Sequence, residues 1–276
     1  AYYIYLEDGN DSTVYNSGRG IAEDTDGSLI ITGYVRKGYG SSGLAADLWI
    51  AKTDSGGIPV WSTVVDNSVG ENYIEEEGRD VVVMEDGYLV GGHQNPSSAY
   101  YNDGQSLLAW FDKTTGAYME ARSQVTPDQV TIDHIERVDG NTGLLIVGGS
   151  PDNVLQGAGS PAIRLYYTDN SATINFPDND PNDGNWLISW TAESTASFGH
   201  WAAEAHDGNY LAAGSNGNQS FVAKTDGLPE MTESEWEVTF PDWGANVNRY
   251  YNRILCGTPT DDNGYLLGAE IRESIG

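Results

Sequence analysis

The stretch Asp26-Gly-Ser-Leu-Ile-Ile-Thr-Gly33 decides how the rest of the chain is read. An Asp-Gly pair supplies residues that tolerate positive φ in a tight hairpin, and the apolar run behind it reads as a buried strand. The phrase returns as Asp86-Gly-Tyr-Leu-Val-Gly-Gly92, Thr142-Gly-Leu-Leu-Ile-Val-Gly-Gly149, Asp207-Gly-Asn-Tyr-Leu-Ala-Ala-Gly214 and Asn263-Gly-Tyr-Leu-Leu-Gly268. The five turns stand 60, 56, 65 and 56 residues apart. A second apolar strand follows each of the first four: Asp47–Asp54, Leu108–Thr115, Ala162–Asp169 and Ser220–Asp226. A turn and a further strand come next, with a tryptophan in Val60-Trp-Ser-Thr-Val-Val65 and Glu235-Trp-Glu-Val-Thr-Phe240.

Four short strands in each unit of about 55–60 residues is the pattern of a β-propeller blade. One domain over 1–276 is therefore expected to be an all-β, five-bladed propeller. Its blades would cover approximately 17–70, 71–130, 131–197, 198–248 and 249–276. The fifth unit holds only one hairpin, so the N-terminal residues 1–16, with strands either side of Asp8-Gly9-Asn10, are expected to complete the last blade and close the ring.

The Asp47–Trp61 stretch, D-x-W-I-x-K-T-D-x-x-G-x-x-x-W, resembles the blades of uncharacterised β-propeller repeat proteins of secreted bacterial and archaeal type. It is more distantly similar to quinoprotein repeats. The resemblance runs over nearly the whole chain, closest in the first and fourth units and poorest in the third. It implies a fold and an extracellular setting and no particular reaction.

Composition narrows the function. Thirteen basic side chains face 41 acidic ones, a net charge of −28. That balance excludes nucleic acid and anionic membranes as partners, because both are bound through basic stripes. The apolar runs are too short for membrane insertion. A single cysteine, Cys256, in an apolar Ile-Leu-Cys-Gly stretch that reads as core, leaves no internal disulfide, no four-cysteine zinc site and no haem attachment. No glycine-rich loop cradles a nucleotide. The Ala1 start without a basic leader is read as a mature form after signal-peptide removal, extracellular or at the cell surface. Asn10 and Asn218 begin glycosylation sequons that fit this setting.

Scarce cations are informative in such a chain. Lys52, Lys113 and Lys224 occupy one repeat-equivalent position and are expected to pair with carboxylates of their own or a neighbouring unit. Arg19, Arg79 and His200 lie seven residues before Asp26, Asp86 and Asp207, and His134 and, with a longer insertion, Arg253 align to the same place. In a propeller this is the innermost strand. The five groups would ring one mouth of the channel, either as an anion site or as ion pairs between blades.

Two further sites are candidates. Asp178, Asp180, Asn182 and Asp183 alternate oxygen ligands beside a glycine turn, which suits calcium, although the glycine falls at the seventh place and no glutamate closes the loop. Glu75-Glu-Glu77 is a second acidic cluster; a solvated acidic loop is the alternative for both. Asp80, Asp133 and Glu204 fall on inner strands and could serve as paired carboxylates of a glycosidase. No motif supports them, and no G-x-S-x-G marks a serine hydrolase. The sequence thus points to a secreted or cell-surface, non-catalytic binding or scaffold module, with a glycan, a protein or further copies of itself as partner, in an extracellular assembly. Tyr100 and Tyr101 in Ser98–Asn102 suit glycan stacking. The alternative is a calcium-supported glycoside hydrolase or lyase on the same fold.

Overall fold

A computed structural model of the chain describes residues 15–38, 44–65, 75–95, 105–124, 132–138, 143–149, 161–167, 186–189, 197–216, 219–225, 234–240 and 250–273. Every regular element among them is a β-strand. The chain divides into two compact units, Ala1–Ile132 and Asp133–Gly276.

In the first unit, β1 (Tyr15–Glu23), β2 (Leu29–Gly38), β3 (Leu44–Thr53) and β4 (Pro59–Val65) pair in chain order as one antiparallel sheet. The strands β5 (Glu75–Val83), β6 (Gly87–Asn95), β7 (Gln105–Asp112) and β8 (Tyr118–Gln124) form a second sheet in the same way. Each strand pairs with the next in sequence, so each sheet is a meander. The apolar residues of the two sheets meet in one core: Ile30, Leu48, Ile50 and Val65 against Val81, Tyr88, Val90, Leu107 and Phe111. Burying each such side chain contributes roughly 1.5–3 kcal/mol.

Two side chains of β4 interlock with the second sheet. Trp61 tilts against Tyr88 with ring centroids 5.9 Å apart, and Thr63 Oγ1 donates to the Gly116 carbonyl at 2.7 Å. Gly116 has φ 69°, and a Cβ there would lie 2.4 Å from the Trp61 ring. Glycine is required twice over at that position, for its backbone and for the indole it faces.

The second unit opens with a meander of β9 (His134–Val138), β10 (Gly143–Gly149), β11 (Pro161–Tyr167) and β12 (Trp186–Ser189). A further meander follows, of β13 (Ser197–Glu204), β14 (Tyr210–Asn216), β15 (Gln219–Thr225) and β16 (Ser234–Phe240). A single residue pair, Gly149 opposite Phe198, joins β10 to β13, making one eight-stranded sheet. The chain's last strands, β17 (Tyr250–Pro259) and β18 (Tyr265–Glu273), pair with each other as a hairpin. Ile254, Tyr265 and Leu267 of that hairpin pack on Trp201, Leu211, Ala213 and Val222.

The expected five-bladed propeller is not what these strands build. Among the described residues they form four antiparallel sheets, and none closes into a ring or barrel. Propeller blades stack face to face and keep their edges apart. Here the third and fourth repeats share one sheet, the end of β10 that runs past β9 pairing with β13 through Gly149 and Phe198, and the fifth contributes two strands. The hairpin repeat dictates each local meander, whereas ring closure depends on which sheet faces pack together. Residues 1–14, expected to latch the ring, lie outside the described residues.

The repeated Asp-Gly phrase also makes more than one turn. Gly27 and Gly208 adopt φ 79° and 81°, and the amide of each donates to the carbonyl three residues earlier, Asp24 or Ala205. In the last repeat that role passes to Asn263 at φ 64°, with its amide on the Thr260 carbonyl. Gly264 is thus one place further along than the sequence phrase suggests. The Met84–Gly87 turn is one residue shorter, closed by Met84 N–H to the Gly87 carbonyl at 2.8 Å.

Candidate functional site: a repeated bulge and an Asp–His–Ser relay

The row of cations seven residues ahead of each hairpin has a structural cause. Arg19 is the extra residue of a bulge between Gly18 and Gly20. Arg79 occupies the same bulge between Gly78 and Asp80, and His200 between Gly199 and Trp201. A bulge leaves one residue outside the ladder and re-aims its side chain. The glycine that ends each sequence phrase sits opposite: Gly18 pairs with Gly33, Gly78 with Gly92 and Gly199 with Gly214. A Cβ at Gly33 or Gly92 would fall 1.8 Å from the carbonyl oxygen of Ser17 or Glu77. These glycines are there because the bulged strand comes too close for any side chain.

The remaining two members of the expected row stand elsewhere. In the last repeat the bulge residue is Leu255, between Ile254 and Cys256, and Arg253 pairs in regular register with Glu270. Counted from Asp262, the residue that matches Asp26 once the turn is shifted by one place, the seventh residue back is Leu255, whereas Arg253 lies ten before Asn263. His134 lies in β9 opposite Val147 in unbroken register. Its Nε2 meets the Ala202 carbonyl at 2.9 Å and Glu136 at 3.7 Å.

The bulged side chain meets its surroundings differently in each repeat. The Arg19 guanidinium lies 5.5 Å from the Tyr34 ring centroid. Arg79 pairs with Glu77 at 3.7 Å, and Glu77 also faces His93 at 4.0 Å. His200 lies beside Ser215, with Nε2 to Oγ at 3.5 Å. Tyr34, His93 and Ser215 are equivalent, each following the glycine opposite the bulge. The channel they are expected to ring belongs to the propeller, which the described sheets do not build.

In the second unit this arrangement becomes a three-residue relay. His200 Nδ1 stands 3.0 Å from Asp133 Oδ2, while Nε2 faces Ser215. The Asp133 amide is anchored on the Val147 carbonyl at 2.9 Å. A carboxylate at Nδ1 selects the tautomer that carries its proton there, which leaves Nε2 able to accept the serine proton. Sequence reasoning makes Asp133 a glycosidase acid and His200 a channel cation, and the structure brings the two together. It gives no hint of Ser215. The signal for that residue is the register position it shares with Tyr34 and His93.

The lysines hold a different network, in the first unit. Lys113 donates to Asp24 Oδ1 at 2.9 Å, and Lys52 lies 3.6 Å from Asp24 and 3.5 Å from Asp26. The Tyr88 hydroxyl donates to Asp24 Oδ2 at 2.8 Å and accepts from Lys52 at 3.0 Å. The Asp24 side chain is only 1% exposed. Burial pushes its carboxyl upward, but hydrogen bonds from Lys113, Tyr88 and the Thr25 amide outweigh that and hold it at about 2. Burial, and then donation to Asp24, drives the Tyr88 phenol well above the usual tyrosine range. In the fourth repeat Lys224 donates to Asp207 and lowers its carboxyl, the same contact that Lys52 makes with Asp26.

Of the other expected sites, the calcium ligands Asp178, Asp180, Asn182 and Asp183, the sequons at Asn10 and Asn218, and Tyr100 and Tyr101 lie outside the described residues. Among the described residues no group of three or more His, Cys, Asp or Glu could hold a metal ion. The acidic run Glu75–Glu77 is not a loop: it opens β5, and Glu76 and Glu77 are buried. Asp80 accepts from the Val81 amide at 2.9 Å, and Glu204 ends β13 opposite Tyr210. Cys256, expected in the core, is an exposed free thiol, with Sγ over the bare Gly268.

No protein-family model matches this chain, and no curated protein matches its sequence.

Proposed function

We propose that this protein is an acidic binding or scaffold module working at or outside the cell surface, where it meets a glycan, a protein or further copies of itself in an assembly. The observation that carries the reading is the internal engagement of Lys52, Lys113 and Lys224 with Asp24, Asp26 and Asp207. With three of the four lysines paired to the chain's own carboxylates, the exterior is dominated by the acids that give the chain its −28 charge. Such a surface associates through divalent cations or at high ionic strength, where screening lengths shrink from about 10 Å to about 3 Å. The resemblance of Asp47–Trp61 to secreted repeats supports the extracellular setting. Calcium is the cation this reading favours.

Sedimentation velocity tests it. Mass that rises on adding calcium or concentrated salt, and falls again with chelator or dilution, supports a cation-bridged assembly. A chain that stays monomeric in every condition removes self-association and leaves only a foreign partner. The glycoside hydrolase or lyase reading has less support, because Asp133, one of its acids, is engaged with His200.

A further inference from the structure

We infer that Asp133, His200 and Ser215 form a nucleophilic serine centre able to transfer short acyl groups from esters, an activity beyond the scaffold reading. Three stretches of backbone converge to make it: Asp133 precedes β9, His200 is the bulged residue of β13, and Ser215 lies near the end of β14. The hydrogen-bond order is carboxylate to Nδ1 at 3.0 Å and Nε2 to hydroxyl at 3.5 Å. Base, orienting group and nucleophile thus stand in the sequence that activates a serine, with the loose nucleophile–base spacing of resting sites.

Comparison between repeats strengthens the inference. The bulge holds arginine in the first and second repeats, and the facing position holds Tyr34 and His93. Arginine offers only donors, whereas a neutral imidazole has a ring nitrogen that can accept a proton. In the fourth repeat the pair becomes a base and a hydroxyl. The repeat device supplies the geometry, and two side-chain changes turn a packing contact into an acid–base pair.

In the reaction, Ser215 Oγ forms a bond to the ester carbonyl carbon while its proton passes to His200 Nε2. His200 then gives that proton to the departing alkoxide oxygen as the ester C–O bond breaks. Water attacks the acyl-serine in the same manner, yielding the carboxylic acid and restoring Ser215. Asp133 is a positioning residue that keeps the proton on Nδ1 and stabilises the imidazolium. Ser215 is 7% exposed, so the ester chosen to probe it carries a small acyl group, acetyl.

The test uses the full chain and p-nitrophenyl acetate. Acid quenching and peptide mass mapping should find acetyl on Ser215, accompanied by release of nitrophenolate. Ser215→Ala and His200→Ala should each reduce that release by about a hundredfold or more. Asp133→Asn should reduce it with an altered pH profile, because the amide no longer selects the tautomer. Circular dichroism and melting curves establish that each variant is folded, and Ser220→Ala, at the register partner of Ser215, should react as the parent does. The inference is overturned if acetyl appears only on lysines, tyrosines or the amino terminus. It is equally overturned if Ser215 is acetylated at the same rate in folded His200→Ala.

Discussion

The Tyr88 hydroxyl, carried by β6, donates to the buried Asp24 carboxylate in the β1–β2 turn at 2.8 Å. This bond ties the first sheet to the second at a point where Lys52 and Lys113 also converge. Tyr88→Phe keeps the ring against Trp61 but leaves Asp24 with one donor fewer. Loss of a hydrogen bond to a buried charge predicts destabilisation of about 2 kcal/mol, read from the urea midpoint. An unchanged midpoint would show that Lys52 and Lys113 satisfy the carboxylate alone.

Asp24 also makes stability depend on acidity. Its carboxyl is held at about 2 against an ordinary 3.8. A carboxyl depressed by folding contributes stability that is complete above the unfolded value and lost as pH falls through the folded one. Between about pH 4 and pH 2 the parent should therefore lose about 2 kcal/mol more than Asp24→Asn does. Chemical denaturation of both proteins across that range is the measurement; parallel curves would count against the network.

The glycines opposite the bulges should respond unlike those in turns. Gly33→Ala places a methyl 1.8 Å from the Ser17 carbonyl, which is backbone and cannot swing aside. It should cost about 3 kcal/mol or more, or prevent folding. Gly208 has φ 81°, and a Cβ there would meet nothing within 4 Å. Gly208→Ala should cost only the left-handed backbone penalty, about 1 kcal/mol. Melting temperatures for the two variants give the ratio directly.

Arg19 and Arg79 occupy the same bulge in different surroundings. Arg19 is exposed and lies over Tyr34, so Arg19→Ala should lower stability by no more than about 0.5–1 kcal/mol. Arg79→Ala removes a cation from Glu77, whose side chain is 8% exposed, and should cost about 1–2 kcal/mol. Equal effects would mean that the bulge backbone, rather than the partner, determines what the arginine contributes.

Much of the local architecture is legible in the sequence, because strand patterning and turn residues are short-range signals. The hairpin phrases mark β2, β6, β10, β14 and β18, and the spacing of Arg19, Arg79 and His200 puts all three at the one bulge they share. The phrase fails where turn chemistry changes. Asn263 takes the left-handed position ahead of its glycine, so the seven-residue spacing counts from Asp262 and reaches Leu255, and Arg253 falls two places short of the bulge. That the described strands do not close into a ring is not legible, since a joint of one residue pair such as Gly149 with Phe198 leaves no local pattern. Ser215 escapes a reading by sequence because its partners lie 15 and 82 residues earlier in the chain. Only the bulge, which depends on backbone geometry, brings all three together.

The paired glycine and bulge have a consequence for how the strands find each other. A slip of two residues would keep every inward face inward, so alternation alone cannot forbid it. It would drive a side chain into the Ser17 or Glu77 carbonyl, and the hairpin could not form. The notch therefore acts as a key for alignment while its one extra residue is left to vary. Arginine, histidine and leucine have all been fitted there, giving the repeat one place to change its chemistry without disturbing its assembly.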